Sequence, residues 1–211
     1  MKSFRLFFIG IFATFALGWV GVVAIPRAQL ANLQPVVDED NPADVYPIDA
    51  GGVAEQGRRI FVANGCISCH SQQVRGAGSI DIARGWGDRR TVALDYIYGQ
   101  PVRLGTLRIG PDLTNIGARR PNADWHYLHL YNSRTVMPGS VMPPFRFLFE
   151  TRKISGQRSS DALFLTGKDA PPDGFEVVPT PEARALVGYL LSLDKSHPLK
   201  GLKPATGGTA K

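Results

Sequence analysis

The apolar positions of this chain form one long unbroken run near the N-terminus and several shorter periodic segments. Between Leu6 and Ile25 the only polar side chain is that of Thr14. Twenty residues at about 1.5 Å per residue match the thickness of a membrane hydrocarbon core, about 30 Å. The run therefore predicts a transmembrane helix over residues 6–25.

The charges before this run predict its orientation. Lys2 and Arg5 precede it with no acidic residue nearby, so the positive-inside rule places residues 1–5 in the cytoplasm and the rest of the chain in the periplasm of a bacterium. The alternative is a signal peptide cleaved after Ala24, which would release a free periplasmic protein. Signal sequences have apolar cores of about 7–15 residues, so the longer run favours a retained anchor in the inner membrane.

Three later segments have the apolar spacing of amphipathic helices: Val53–Asn64, Ala123–Tyr131 and Glu182–Leu193. Each carries a boundary signal. Gly65 is a stop for the first helix, Asn122 is a cap for the second, and Pro181 suits the first position of the third. These segments predict an all-α domain.

The segments between the helices predict long loops. Residues 26–50 contain three prolines and an acidic cluster and form a predicted linker. The predicted domain covers residues 51–196, with a polar, turn-rich surface insertion at 150–180. Residues 71–109 are rich in Gly and Arg and predict loop with short helices at most. Residues 197–211 predict a flexible tail.

The net charge of the chain excludes one class of partner. Its formal charge is +6, and without Lys2 and Arg5 the exported part has 22 basic against 18 acidic residues. No block of Lys and Arg is interleaved with aromatic residues as in single-strand binders. We therefore expect no nucleic-acid partner.

The pentapeptide Cys66-Ile67-Ser68-Cys69-His70 predicts the cofactor. Two thiols three positions apart, followed by a histidine, are typical of covalent haem c attachment, with His70 as an iron ligand. A dithiol redox motif does not need this histidine, and a zinc site needs a second ligand pair. No other cysteine is available for a disulfide.

A filled sixth position on the iron would make the site an electron carrier, whereas an open one would bind small ligands. The candidates are two methionines and three histidines: Met137, Met142, His126, His129 and His197. We expect Met142, because the prolines after it fix the backbone of its loop. Met137, followed by one proline, is the main competitor.

Other residues near the motif are candidates for supporting the haem. Pro111, in Gly110-Pro111-Asp112-Leu113, is typical of small cytochromes c, in which a proline carbonyl accepts the Nδ1–H of the ligand histidine. A simple Pro-Asp turn is the alternative. Arg75 and Arg108 are candidates for pairing with haem propionates.

His126 and His129 lie three positions apart on a predicted helix and could hold a metal. Without a cluster of carboxylates to complete such a site, we expect structural roles for both histidines.

Together these residues resemble the mono-haem cytochrome c subunit (subunit II) of cbb3-type oxidases, the C family of haem–copper oxygen reductases. The resemblance covers about residues 55–148, the anchor and the last helix, and rests on Gly57 to Phe61, Gly65 to Gln72, Arg75, Tyr98, Pro101, Gly105, Arg108, Gly110 to Leu113, Trp125-His126, His129-Leu130, Ser140 and Met142-Pro143. The chain departs from the family at residues 101–105, where Pro-Phe-x-Trp-Gly is usual, at Gly139, which replaces an acidic residue, and in the insertion.

The resemblance implies a class I cytochrome c-like domain with one covalently bound haem c. Gly57 and Phe61 with Tyr189 resemble the helix crossing of that class. It also implies a non-catalytic subunit that takes electrons from a second cytochrome c subunit or a soluble cytochrome c and passes them to the haem–copper catalytic subunit. The alternatives are the cytochrome c subunit of a nitric oxide reductase and a haem enzyme or sensor with an open iron.

Overall fold

The computed structural model describes residues 2–76, 78–99 and 101–202 of the chain. The described residues are mainly helical, as predicted. From residue 203 onward, the predicted flexible tail lies outside the described residues. The chain divides into two compact units, one of Met1–Ile48 with Val92–Tyr98 and one of Asp49–Thr91 with Gly99–Lys211.

The first unit begins with a long apolar helix. Helix α1 (Lys2–Trp19), a π-helical turn (Val20–Ala24) and helix α2 (Ile25–Leu30) follow one another directly. Residues Ser3–Leu30 are long and apolar enough to cross a membrane, and none of that apolar stretch is buried in the protein. The predicted helix is therefore present.

The helix continues past its predicted end at Ile25 and through Pro26. Proline has no N–H to donate and usually breaks a helix interior. Here the N–H of Ile25 bonds to the carbonyl of Val20, five residues back, so the hydrogen-bond register shifts directly before the proline. This shift lets helix α2 continue to Leu30.

The predicted linker contains a short strand pair, β1 (Val36–Val37) and β2 (Val45–Tyr46), which are antiparallel. The turn between them begins where the Asp38 carboxylate accepts the N–H groups of Asp40 and Asn41. The hydroxyl of Tyr46 donates to Asp95 over 2.6 Å in a buried contact, which fixes the end of β2.

The described part of the second unit contains five α-helices and one strand pair: α3 (Gly51–Ala63), α4 (Ile80–Ala83), α5 (Ile116–Arg119), α6 (Ala123–Tyr131), β3 (Phe149–Lys153), β4 (Phe175–Pro179) and α7 (Pro181–Ser192). The boundary signals act as predicted. Gly65 is left-handed (φ 71°) after α3, Asn122 accepts the N–H of Trp125, and Pro181 begins α7.

Helices α3 and α7 cross at Gly57, and this crossing forms the centre of the core. A Cβ at Gly57 would overlap the carbonyl of Ala185 and lie 2.6 Å from the Cβ of Tyr189. The ring of Phe61 meets that of Tyr189 edge to face, with centroids 5.6 Å apart. Phe61 and Leu186 are almost fully buried, each worth about 1.5–3 kcal/mol.

The insertion differs from the all-α expectation, which is wrong for this part of the chain. Strands β3 and β4 are antiparallel from Phe149 opposite Pro179 to Lys153 opposite Phe175. Val177 and Val178 are buried in β4, and the buried Glu176 carboxylate between the strands accepts from Arg152 and Ser159. Hydrogen bonds donated by Ser159, together with the one donated by Arg152, lower the pKa of Glu176 to about 2.

Candidate functional site

Cys66, Cys69 and His70 lie together on one tight turn directly after α3. The turn begins with a 3-10 segment at Cys66–Ser68, and the N–H groups of Cys69 and His70 both bond to the carbonyl of Cys66. Both thiols are free and half-buried. Burial raises the pKa of the Cys66 thiol to about 11, so this thiol is protonated at neutral pH.

The imidazole of His70 is held from two sides by the Gly110-Pro111 backbone. Its Nδ1 lies 2.8 Å from the carbonyl oxygen of Pro111, and because a carbonyl only accepts, Nδ1 carries the proton. A Cβ at Gly110 would lie 2.8 Å from Nδ1 and 2.9 Å from Nε2, so only glycine fits against the ring. The Nε2 lone pair of the neutral ring is therefore the one available for iron.

Burial also keeps His70 neutral. It lowers the pKa of the imidazole, against the opposing effects of the Pro111 carbonyl and the Asp112 carboxylate. A neutral, oriented imidazole is the form that binds metals.

Gly105 packs against the main chain beside His70. Its φ is +81°, and a Cβ there would lie 2.5 Å from the carbonyl oxygen of His70 and 2.7 Å from Cα of Ser71. The neighbouring Leu104 carbonyl accepts the N–H of Gln72 over 2.8 Å. The glycine that the chain shares with the resembled family is thus required by close backbone packing.

The two candidate methionines have different environments. Met142 is half-buried and packs against the main hydrophobic core, which Cys66 and Ile67 also contact. Its carbonyl accepts from Ser133 Oγ over 2.9 Å. Met137 is 50% exposed, so burial favours Met142 as the thioether ligand.

The histidines of α6 take different positions. His126 is buried and its Nε2 donates to the carbonyl of Arg120 over 2.8 Å, a structural contact. His129 stacks on Trp125 with ring centroids 4.8 Å apart. Burial and the neighbouring His70 and His126 lower the pKa of His129 to about 4. His197 contributes its carbonyl to Arg89 Nε.

Arg75 and Arg108, the predicted propionate partners, both bind the buried carboxylate of Asp81. Arg75 donates from Nη2 over 2.8 Å and Arg108 from Nη1 over 2.6 Å. Burial alone would raise the pKa of Asp81, but the hydrogen bonds and charges of the two guanidinium groups lower it to about 2. Their pairing with propionates stays a prediction.

Sequence reasoning missed Asp81 and the buried polar network around it. The same Arg108 lies over the ring of Trp86, with its guanidinium carbon 5.3 Å from the centroid. The available signal was an acidic residue within residues 71–109, a segment rich in arginine and glycine. Asp112, noted only as part of a turn, is fully buried and belongs to the same network.

The side chains present fit a c-type haem. Two thiols one turn apart, an imidazole with its Nε2 available and a half-buried thioether are the groups that haem c attachment and ligation require. In residues 2–76, 78–99 and 101–202 there is no group of three His, Cys, Asp or Glu for a separate metal ion. Two buried guanidinium nitrogens, Nε of Arg103 and of Arg119, have no hydrogen-bond partner among the described residues and would suit carboxylates.

The chain matches the model of a known protein family. Residues 5–167 match the model of a protein family described as "Cytochrome C oxidase, mono-heme subunit/FixO". This range includes most of the apolar helix, the Cys66–His70 turn, Pro111 and Met142. Among curated proteins, none matches the chain.

Proposed function

The chain belongs to the mono-haem subunit family of cytochrome c oxidases, and we propose that it relays single electrons to the catalytic subunit of a cbb3-type oxidase in aerobic respiration. A mono-haem family implies one haem. We assign this haem to the site around His70.

Each residue of the site has a distinct role in this proposal. Cys66 and Cys69 would hold the haem through thioether bonds, each S–H adding across one vinyl group so that one S–C bond and one C–H bond form. His70 Nε2 and the Met142 sulfur would bind its iron. The bound haem supplies a one-electron iron couple. Pro111 fixes the orientation of His70 through the contact at Nδ1.

The observation that carries the proposal is the fixed imidazole of His70, with Nδ1 2.8 Å from the Pro111 carbonyl and Gly110 against the ring. A rigid ligand changes little between oxidation states, which suits electron transfer. The half-buried Met142 would close the opposite face, so this haem would carry electrons and leave oxygen reduction to the catalytic subunit.

The apolar helix supports a relay that is anchored in a membrane. A single-pass anchor over Ser3–Leu30, with Lys2 and Arg5 in the cytoplasm, would hold residues 51–196 in the periplasm beside the bacterial inner membrane. Of the predicted linker 26–50, residues 26–30 continue this helix, and residues 31–50 would form the linker. The electron donor would be a second cytochrome c subunit or a soluble cytochrome c, and the acceptor the haem–copper subunit.

The proposal is tested by purifying the protein, with a C-terminal tag, from the membranes of its own host. We expect a haem–copper subunit to co-purify, and the reduced haem c of this chain to be oxidised by oxygen only when that subunit is present. Co-purification with a nitric oxide reductase catalytic subunit would contradict the oxidase assignment. Rapid formation of a carbon monoxide adduct at this haem would contradict a closed iron.

The anchor is tested on the same preparation by mass spectrometry of the N-terminus. Recovery of a chain that retains residues 2–24 supports a retained helix. Recovery of Ile25 as the first residue would show that a signal peptide is removed.

A further inference from the structure

Two chain segments run side by side at the haem motif, residues 69–73 and residues 110–114. Their main chains are joined by two hydrogen bonds, from the N–H of Gly110 to the carbonyl of Cys69 (2.9 Å) and from the N–H of Leu113 to the carbonyl of Ser71 (2.8 Å). The His70 ring and the Pro111 carbonyl, one from each segment, meet between these two bonds.

The carboxylate of Asp112 joins the same segments from inside the protein. It is fully buried and accepts three hydrogen bonds. Its Oδ2 accepts from Ser71 Oγ (2.6 Å) and from the N–H of Gln73 (2.8 Å), while Oδ1 accepts from the N–H of Thr114 (2.8 Å). The carboxylate thereby ties Ser71 and Gln73, which follow His70, to Asp112 and Thr114, which follow Pro111.

Arg108 balances the charge of this buried carboxylate. Its Nη2 lies 3.8 Å from Asp112 Oδ2, and its Nε donates to Ser71 Oγ over 2.7 Å. Arg108 also binds Asp81, so the hydrogen bonds around the Asp112 carboxylate belong to a wider buried network. An unpaired buried charge would be costly, whereas this one is fully hydrogen-bonded.

We propose that Asp112 is a positioning residue for His70: it holds the Pro111 carbonyl against Nδ1–H and so lowers the reduction potential of the haem. A stronger hydrogen bond at Nδ1 makes the imidazole a more basic ligand, and a more basic ligand stabilises ferric iron. The proposal rests on the haem of the proposed function. It adds to the site a residue that is not one of the proposed iron ligands.

The test is Asp112→Asn in the purified complex, followed by redox titration of the haem c absorbance. An amide has one acceptor oxygen and cannot accept all three hydrogen bonds, so the Pro111 carbonyl should move away from His70. We expect the ratio of reduced to oxidised haem at a fixed potential to rise about fivefold, the equivalent of one ordinary hydrogen bond. The matched control is Glu176→Gln, because Glu176 is also buried and bound by an arginine and a serine, but lies in β4. This variant should leave the ratio unchanged.

A second measurement separates positioning from general damage. In the reduced protein, the NMR signal of the His70 Nδ1 proton should shift upfield in Asp112→Asn as its hydrogen bond weakens, and stay in place in Glu176→Gln. If Asp112→Asn does not fold, Ser71→Ala removes one of the three donors to the carboxylate. It should raise the ratio of reduced to oxidised haem and shift the Nδ1 proton upfield, each by a smaller amount.

Two outcomes would overturn the proposal. One is an unchanged potential and proton shift in folded Asp112→Asn with covalently bound haem, or in Ser71→Ala where the first variant does not fold. The other is an equal change in Glu176→Gln. Failure of the proposed function is separate and visible beforehand, because the unmodified chain would then contain no haem c, or would contain haem c but co-purify without the catalytic subunit of an oxidase.

Discussion

The hydroxyl of Tyr189, in the last helix, donates a hydrogen bond to Oε1 of Gln72 over 2.9 Å, in a buried contact. Gln72 lies two residues after His70, so this bond ties α7 to the chain that leaves the haem motif. The ring of the same tyrosine packs on Phe61 of α3, directly before the motif. One side chain thereby connects both ends of the Cys66–His70 turn to the core.

We expect Tyr189→Phe to destabilise the protein by about 1 kcal/mol, because the aromatic packing remains and only the hydrogen bond is lost. Burial raises the pKa of Tyr189 to about 12, so the hydroxyl donates throughout the neutral range and the loss should not depend on pH between 6 and about 9. Denaturant unfolding of the purified full-length protein measures the change. Tyr127→Phe is the control, since no described residue bonds to the Tyr127 hydroxyl; an equal loss there would contradict the role of the bond.

The crossing of α3 and α7 predicts that alanine has contrasting effects on stability at two glycines, Gly57 and Gly188. A methyl group at Gly57 meets the backbone of Ala185 and cannot be accommodated without separating α3 and α7. We expect Gly57→Ala to cost about 3 kcal/mol or more, or to prevent haem incorporation. At Gly188 the nearest atom to an added Cβ is Val53 Cγ1, 3.4 Å away, an ordinary contact.

Gly188→Ala should therefore be neutral, or more stable by up to about 1 kcal/mol, through the higher helix propensity of alanine. Thermal unfolding, followed by haem absorbance, compares the two variants. Similar melting temperatures for both would show that α3 and α7 do not cross as closely as Gly57 requires.

The Asp81 carboxylate predicts a dependence of stability on pH. Its pKa in the folded protein is about 2, below an unfolded value of about 3.9, so its stabilising contribution is complete above pH about 4 and is lost as pH falls toward 2. Asp81→Asn leaves two arginines without their buried anion and should cost about 3 kcal/mol at pH 7. The difference from the unmodified protein should shrink between pH 4 and pH 2.

Asp161→Asn is the control for this effect. Asp161 pairs with Arg184 over 2.5 Å, but both side chains are more than a third exposed, so its loss should cost less than about 1 kcal/mol. Denaturant unfolding at several pH values measures both variants. A loss in Asp81→Asn no greater than in Asp161→Asn would show that the buried pair contributes little.

The helices were predictable because their signals are local. Apolar spacing and adjacent boundary residues, such as Asn122 before α6, lie within the segment that they define, and Ala123–Tyr131 has the predicted bounds. The strand pair of the insertion was not predictable in this way, because Val177 and Val178 stand in a polar stretch. Their partners in β3 are more than twenty residues away.

The residues of the site likewise divide into those with a local sequence signal and those defined by contacts between distant segments. The thiols and His70 are read from five adjacent residues, but the carboxylate contacts depend on folding. Arg108 binds Asp81 from 27 positions away, and Asp112 binds Ser71 from 41. The contact of His70 with Pro111, also 41 positions apart, was expected only because the local motif resembles small cytochromes c.

The choice between the methionines gives the most direct test of the ligand set. Met142→Leu should remove the sulfur-to-iron charge-transfer band in the far red of the oxidised spectrum, while the haem stays bound through Cys66 and Cys69. Leucine replaces the half-buried side chain at a cost below about 1.5 kcal/mol, so loss of the band would not reflect unfolding. The same variant should bind carbon monoxide in the reduced state, because the sixth position is then open. Met137→Leu, at a half-exposed side chain, should retain the band and exclude carbon monoxide. A band that persists in Met142→Leu and disappears in Met137→Leu would assign the ligand to Met137 and contradict the burial argument.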